Sequence, residues 1–144
     1  MDTSQRELRA TGACLCGAVK YEVRGPLRDV VACHCMQCRR STGHFYAATA
    51  TRRENFTLTE SRGLRWYQSS ALVRRGFCAE CGSNLLWDAS DYPYICITAG
   101  TLDGITGLRI VSHIFVADKG DYYALGDGVP QIAGREHGIA MPER

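Results

Sequence analysis

Residues 33–38 read Cys-His-Cys-Met-Gln-Cys, which places three thiols within six positions. A thiolate is a soft ligand that suits zinc, copper(I) or an iron–sulfur cluster. Three thiolates leave a tetrahedral zinc one ligand short, and an open fourth position is what separates a catalytic zinc from a structural one. The interpretation of the chain therefore depends on whether a fourth protein ligand closes this site.

Two further cysteine pairs flank tight turns elsewhere in the chain. Cys78 and Cys81 are spaced C-x-x-C, and Cys14 and Cys16 are spaced C-x-C about 60 residues earlier. Together they predict a closed tetrahedral Cys₄ zinc site that staples the start of the sheet to its middle. The expected cofactor is thus two zinc ions per chain, one structural at Cys14, Cys16, Cys78 and Cys81, and one open at Cys33, Cys35 and Cys38.

The remaining cysteine and the four histidines are the candidates for a fourth ligand. Cys96 lies in an apolar run, where a free cysteine behaves as a small buried hydrophobe. His34 lies between two ligands, so its side chain is expected to point away from the metal that they share. His44 stays open as a ligand, His113 is expected to be hydrogen-bonded in the core or in a pocket wall, and His137 lies in the tail. The three-thiol site is therefore predicted to be open.

Length, charge and composition restrict the class of protein. A chain of 144 residues with a net charge of +2 and a pI near 8.1 predicts one domain and falls short of the basic balance of a nucleic-acid binder. No secretory signal is recognisable, and no apolar stretch approaches the roughly 20 residues that span a bilayer. A cytoplasmic location is expected, where clustered cysteines more often bind metal than form disulfides, although disulfides remain the alternative.

Short segments rich in β-branched and aromatic residues recur along the chain and predict a mainly-β domain. A short helical turn is expected to end at Gly43. The predicted strands cover residues 18–23, 46–51, 56–59, 64–68, 72–77, 94–99 and 110–116. The predicted organisation is a mobile N-terminal tail at residues 1–10, a single zinc-binding β domain at 11–131 and a C-terminal tail at 132–144.

The order of the cysteine motifs at residues 14–17, 33–43 and 76–83 resembles the glutathione-dependent formaldehyde-activating enzymes, a family that includes the domain of centromere protein V. Residues 112–119 and 126–131 are also similar to the C-terminal part of that family. The resemblance implies a β-tent fold of antiparallel sheets pinned by zinc. It also implies that the four-cysteine set is structural and the three-cysteine set reactive.

The open site and the resemblance together imply a zinc-dependent carbon–sulfur lyase acting on a thiol–aldehyde adduct such as S-hydroxymethylglutathione. Cys33, Cys35 and Cys38 would be its catalytic residues. Three thiolates give the zinc complex a net negative charge, which favours binding of a soft sulfur over formation of a strong hydroxide. Arg39 and Arg40 follow the motif and are predicted to pair with a carboxylate of a glutathione-like ligand. Further pocket candidates are Tyr46, His113 and Lys119.

A non-catalytic, zinc-stapled binding module for nucleic acid or protein is the alternative. Its basis is three arginine pairs at residues 39–40, 52–53 and 74–75. The chain has no basic tail, which favours the enzyme, and iron is the alternative to zinc at the three-thiol site. The expected partner is a small thiol or a thiol–aldehyde adduct, with no membrane or nucleic acid. A homodimer stays open.

Overall fold

Residues 5–135 and 141–144 are described by a computed structural model of the chain. In this part of the chain the regular elements are short strands, three short 3₁₀ helices and one α-helix, α1, which spans Met36–Thr42. No helix among these residues is long and apolar enough to cross a bilayer. The strands are β1 (Ala10–Ala13), β2 (Lys20–Val23), β3 (Arg28–Cys33), β4 (Tyr46–Arg52), β5 (Phe56–Glu60), β6 (Leu64–Gln68), β7 (Val73–Cys78), β8 (Asn84–Ala89), β9 (Tyr94–Thr98) and β10 (Ile110–Ile114).

The strands form two sheets. A three-stranded antiparallel sheet has the order β1-β2-β5, and a seven-stranded sheet has the order β10-β3-β4-β9-β8-β7-β6. Within the described residues, the neighbours in the large sheet are antiparallel except for β10, which runs parallel to β3. The expectation of antiparallel sheets needs correction for this pair. β10 reaches β3 through a long crossover, so no hairpin fixes its direction.

The mainly-β prediction is confirmed, and each predicted strand matches an observed one to within two residues at either end. Residues 10–13 form β1, which was not among the predicted strands. Ala-Thr-Gly-Ala has little intrinsic strand preference, and the strand forms because Ala10 pairs with Val23 and Ala13 with Lys20 of β2. The helical turn does end at Gly43, but it begins at Met36.

One face of the large sheet contributes to the main hydrophobic core together with the small sheet. Leu86 of β8 and Ile95 and Ile97 of β9 pack with Tyr21 and Val23 of β2. All five are buried, and full burial of a side chain of this size stabilises the fold by about 1.5–3 kcal/mol. This core fixes the position of the large sheet, whose opposite face remains available for a site.

The opposite face carries a second, smaller apolar cluster. Tyr46, Ala48 and Ala50 alternate along β4 and share this face, where they pack with Cys38 and Cys96. The methyl groups of the two alanines occupy little volume. They leave space for a cavity between β4 and α1, and Ala48 lines that cavity.

The segment after β10 remains in contact with the sheet. Phe115 N–H donates a hydrogen bond to the Gly134 carbonyl at 3.1 Å, and Arg52 Nε donates to the carbonyl of buried Pro142 at 2.8 Å. Parts of the predicted tails at residues 1–10 and 132–144 lie outside the described residues, namely 1–4 and 136–140, which include His137. The domain boundaries at residues 10 and 131 stay predictions.

Candidate metal centres and the adjoining cavity

Two turns bring Cys14, Cys16, Cys78 and Cys81 together beside the main core, and this group is the four-thiol cluster. Cys14 follows β1 and Cys78 ends β7, and both are buried. The four Sγ atoms lie within 4.8 Å of one another, with 3.8 Å between Cys14 and Cys16 and 3.7 Å between Cys16 and Cys78. Gly82 turns the chain after the last cysteine with φ 80°, a left-handed conformation that glycine adopts without strain.

The geometry of the four-thiol cluster fits a tetrahedral metal. Four Zn–S bonds of about 2.3 Å require sulfur–sulfur distances of about 3.8 Å, which the observed values match. Hydrogen bonds to sulfur favour the thiolate. Val19 N–H donates to Cys14 Sγ at 3.2 Å, and the Ser83 hydroxyl, 3.2 Å from Cys81 Sγ, lowers the pKa of Cys81 to about 5. These residues can therefore hold a metal ion in a closed site.

Cys33, Cys35 and Cys38 form the three-thiol cluster where β3 meets α1, and their Sγ atoms also lie within 4.8 Å of one another. Cys35 caps the N-terminus of α1, because its Sγ accepts a hydrogen bond from Cys38 N–H at 3.4 Å. Hydrogen bonds from the Cys33 and Cys38 thiols lower the pKa of Cys35 to about 2, and the pKa of Cys33 is raised by the same contacts. Sulfurs that share negative charge in this way are suited to a divalent metal.

Among the described residues, no further Cys, His, Asp or Glu joins the three-thiol cluster. Cys96 is buried and packs near Cys38 in the second apolar cluster, as the sequence predicted. His44 Nδ1 lies 2.5 Å from the Tyr122 hydroxyl instead. The cluster thus offers three protein ligands, the number that is typical of catalytic zinc sites.

His34 lies in a partly buried chain of hydrogen bonds behind the three-thiol cluster. Its Nδ1 is 2.6 Å from the Tyr123 hydroxyl, and its Nε2 is 2.9 Å from His113 Nδ1. His113 Nε2 lies 2.8 Å from Asp127 Oδ2. Burial lowers the pKa of His34 to about 4, and the hydrogen bond from His113 lowers the pKa of Asp127. His113 is thus a hydrogen-bonded core residue, as expected.

A cavity of about 220 Å³ adjoins the three thiols, and all three cysteines line it. Its lining includes three arginines and, within the described residues, no aspartate or glutamate. This composition favours a ligand that carries negative charge. The arginines are Arg28, Arg75 and Arg135, and the aromatic walls come from Tyr46, Trp87, Tyr92, Tyr94 and Phe115.

Arg75 is the most buried of the three arginines, with 6% of its surface exposed. Its Nη2 donates to Cys38 Sγ at 3.6 Å and its Nη1 to Ser41 Oγ at 3.2 Å. Its Nε has no hydrogen-bond partner, and no carboxylate of the described residues pairs with it. A buried guanidinium without a counter-charge is costly. The thiolates, together with an anionic ligand bound in the cavity, can supply the negative charge that Arg75 lacks.

Arg39 and Arg40 line a different cavity, together with Met36, Gly43 and Tyr122. Successive helical residues point about 100° apart, so the α1 geometry that directs Cys38 to the thiols directs its two neighbours elsewhere. The carboxylate-binding role of Arg39 and Arg40 stays a prediction. The arginines beside the thiols come from β3, β7 and the C-terminal segment.

The other two pocket candidates have different surroundings. Tyr46 lines the cavity, accepts a hydrogen bond from Thr98 Oγ1 at 3.3 Å, and has its pKa raised by burial, so its hydroxyl stays protonated. Lys119 Nζ donates to the carbonyls of Gly120 and Tyr123 and is not part of the cavity lining.

Sequence reasoning grouped Arg74 and Arg75 as a basic surface pair and missed the role of the second. Adjacent strand residues face opposite sides of a sheet. Arg74 stacks on Trp66, with its Cζ 3.8 Å from the ring centroid, and pairs with Asp88 at 2.8 Å. Arg75 instead lines the cavity, as Val73 does. The sequence signal that could have identified Arg75 is its position two residues after the apolar Val73, because such residues share one face of a strand.

Residues 9–118 match the family of glutathione-dependent formaldehyde-activating enzymes. The chain belongs to this family. The matched range includes both cysteine clusters, so the resemblance seen in the motifs is confirmed. The family's C-terminal resemblance at residues 126–131 lies beyond that range.

Two relatives of the chain extend this result. A Schizosaccharomyces pombe protein described as an uncharacterized lyase is 30% identical over 115 residues, which cover 78% of this chain and 82% of the yeast protein. A crystal structure of a Rhodobacter sphaeroides protein aligns with a TM-score of 0.58 and 25% identity, covering 84% of this chain and 98% of that one. The family and the lyase-named relative support a lyase-like function, and the crystal structure supports the fold.

Proposed function

We propose that this protein is a zinc-dependent carbon–sulfur lyase that forms or cleaves the adduct of a small anionic thiol and an aldehyde. One observation carries the proposal. Three thiols without a fourth ligand among the described residues open onto a cavity lined by three arginines and no carboxylate. The family and the lyase-named yeast relative support the same class of reaction.

Cys33, Cys35 and Cys38 would hold the metal at the wall of the cavity. Bound zinc would supply an electrophilic centre that stabilises the thiolate form of the substrate sulfur. Arg75 contacts Cys38 Sγ, and its positive charge offsets the excess negative charge of three thiolates. The same charge makes the site more receptive to an incoming anion.

Adduct cleavage breaks the bond between sulfur and carbon. The hydroxyl of the adduct loses its proton and becomes the carbonyl oxygen of the aldehyde, while the sulfur departs with the bonding electrons and takes up a proton on release. Formation is the reverse. Negative charge develops on the oxygen and on the sulfur, and a guanidinium that is only 6% exposed stabilises such charge with little screening by water. We assign this electrostatic role to Arg75.

The size of the cavity favours a small thiol. Its volume of about 220 Å³ lies below the roughly 300–1,000 Å³ of pockets for drug-sized ligands. Arg28 Cζ lies 5.9 Å from the Tyr94 ring centroid and Arg135 Cζ lies 4.9 Å from that of Tyr92. Guanidinium groups held on aromatic walls can bind a carboxylate. Glutathione would therefore place its cysteinyl part in the cavity and its carboxylates towards these arginines.

The alternative of a nucleic-acid-binding module loses much of its basis in the arginine pairs. Asp88 pairs with Arg53 at 2.6 Å and with Arg74 at 2.8 Å, and Arg75 is buried. Phosphate binding depends on accessible positive charge. The ion pairs of Arg53 and Arg74 and the burial of Arg75 reduce the positive charge that is available at the surface. This favours the enzyme over the binding module.

The test compares small thiols that differ in charge. Mercaptoacetate, 2-mercaptoethanol, cysteamine and glutathione are each incubated with formaldehyde, and formaldehyde consumption is measured against a protein-free control and against Cys38→Ser. We expect the two anionic thiols to be accelerated most and cysteamine least, with no acceleration by the variant. Lack of acceleration with every thiol and aldehyde tried refutes the lyase, whereas equal acceleration of all charge types refutes the anionic preference.

Cobalt substitution gives a second readout, which does not depend on turnover. Thiolate coordination gives cobalt intense charge-transfer bands, and we expect mercaptoacetate to perturb the bands of the three-thiol site but not those of the four-thiol site. Comparison with Cys38→Ser assigns the bands. A spectrum that no thiol changes refutes direct coordination of the substrate sulfur.

A further inference from the structure

A hydrogen-bonded chain of four side chains, Tyr123–His34–His113–Asp127, lies behind the three-thiol cluster. The successive distances are 2.6, 2.9 and 2.8 Å. His34 is fully buried and His113 is 2% exposed, whereas Asp127 lies at the surface. None of the four lines the cavity, so they do not contact a ligand bound there.

With Asp127 ionised and both imidazoles neutral, the direction of every bond in the chain follows. An ionised Asp127 can only accept, so His113 Nε2 must donate to it. A neutral imidazole carries one N–H, which leaves His113 Nδ1 as the acceptor for His34 Nε2. His34 Nδ1 then accepts from the Tyr123 hydroxyl. Each ring nitrogen has one role, and rotation of the His34 ring would break two bonds in a site without water contact.

Backbone hydrogen bonds run across the same layer. His34 N–H donates to the Ile114 carbonyl at 3.0 Å, which ties the residue after β3 to the end of β10. His113 N–H donates to the Pro130 carbonyl at 2.9 Å, which ties β10 to the C-terminal segment. The side-chain network therefore braces a stack of three chain segments. Cys33, at the end of β3, and Cys35, which caps α1, belong to the first of them.

We propose that Tyr123, His34, His113 and Asp127 are positioning residues that hold Cys33 and Cys35 at the spacing required for metal binding. His34 is the residue between these two ligands, so a shift of its backbone moves both neighbouring Cα atoms. The proposal rests on the metal-binding part of the proposed function. It assigns a role to the C-terminal segment, which contributes no thiol. Loss of supporting interactions behind a metal site typically weakens binding 10- to 100-fold.

The first test uses the exposed end of the chain, where substitution carries little risk to folding. Zinc affinities of both sites are measured by competition with a chromophoric chelator in the wild type, in Asp127→Ala and in the matched control Asp121→Ala, which removes an exposed acid of the same segment. We expect Asp127→Ala to weaken the three-thiol site about 10-fold or more and to leave the four-thiol site unchanged. Asp127→Asn keeps an acceptor oxygen and should restore most of the affinity. Equal affinities in the two alanine variants, or an equal loss at both sites, overturn the proposal.

A double-mutant cycle tests whether the four residues act as a unit. Tyr123→Phe removes the hydroxyl at the other end of the chain and keeps the ring. If the network is one unit, either single change releases His34, and the double variant with Asp127→Ala should lose little more affinity than the single variants. Strictly multiplicative losses would show two separate local effects and overturn the network.

The wild-type titration separates this proposal from the function on which it rests. If excess zinc does not occupy the three-thiol site in the wild type, both the proposed function and the positioning role are refuted. If zinc occupies the site in the wild type and its affinity is unchanged in Asp127→Ala, only the positioning role is refuted.

Discussion

The two cysteine clusters use the same kind of ligand in opposite structural settings. The four-thiol cluster joins two turns that are far apart in sequence, since the sulfurs of Cys16 and Cys78 are 3.7 Å apart across 62 positions. The three-thiol cluster comes from six consecutive residues at the end of β3 and the start of α1. A metal in the first closes a long loop, whereas a metal in the second ties down only a short segment.

The surroundings of the two clusters also differ. Cys14 and Cys78 belong to the main hydrophobic core, whereas the three-thiol cluster faces a cavity with a buried arginine. The first setting supplies four thiols for one metal ion. The second leaves room for an anionic substrate beside the sulfurs. The two clusters therefore differ in ligand number and in neighbouring space, the two features that we expect to separate a structural thiol site from a reactive one.

Loss of one ligand from each cluster should have very different consequences. Cys81→Ser opens the four-thiol site and should unfold the domain, because structural zinc contributes roughly 10–16 kcal/mol in zinc-finger peptides, as much as the net stability of a typical domain. Cys38→Ser should stay folded and lose activity. Circular dichroism melts and elemental analysis of both variants measure this. Equal damage to the two variants would contradict the division of roles.

Mild chelation should distinguish the two sites in the unaltered protein. We expect the zinc content to fall from near two ions per chain towards one while the fold persists, because three ligands hold a metal less tightly than four. Elemental analysis and near-ultraviolet circular dichroism follow metal and fold together. Simultaneous loss of both ions with unfolding would mean that the clusters do not differ in this way.

Substitution of two adjacent arginines of β7 tests whether the buried charge beside the three-thiol cluster contributes to activity. Arg75→Gln removes the buried charge beside Cys38 and should lower kcat/KM about 100-fold, the scale seen when a donor to transition-state charge is removed. Arg74→Gln is the matched control, because Arg74 faces the other side of the sheet and pairs with Asp88. Its kcat/KM should stay close to that of the wild type. Similar losses in both variants would assign the effect to β7 as a whole.

The smallest expected effect concerns the carboxylate behind the three-thiol cluster. The hydrogen bond from His113 holds the pKa of Asp127 below its ordinary value of 3.8. A depressed acid pKa contributes stability above the unfolded value, and that contribution is lost as the pH falls through the folded value. Urea unfolding should therefore show wild type more stable than Asp127→Asn at neutral pH, with the difference disappearing in acid. A constant difference at every pH would mean that the charge of Asp127 does not contribute.

Much of the candidate site is predictable from residue types and their spacing. Cysteine spacing and adjacent glycines group the seven thiols into the four-residue and three-residue sets that the fold brings together. The place of Cys96 in an apolar strand predicts the buried residue that is observed. Strand content follows from β-branched and aromatic runs. β1 could not be predicted in this way, because it forms through pairing with β2 and not through the strand preference of its own residues.

The sequence by itself determined the ligand chemistry, because residue type supplies the thiols and short spacing decides which of them lie in the same turn. Only the tertiary structure decided what surrounds them. Arg75 reaches Cys38 across 37 positions and Tyr123 reaches His34 across 89, and both contacts depend on strand order and on which face of a strand each side chain occupies. Arg39, next to Cys38 in sequence, faces another cavity. Proximity along the chain does not determine proximity in space once the helix and sheet have fixed the direction of each side chain.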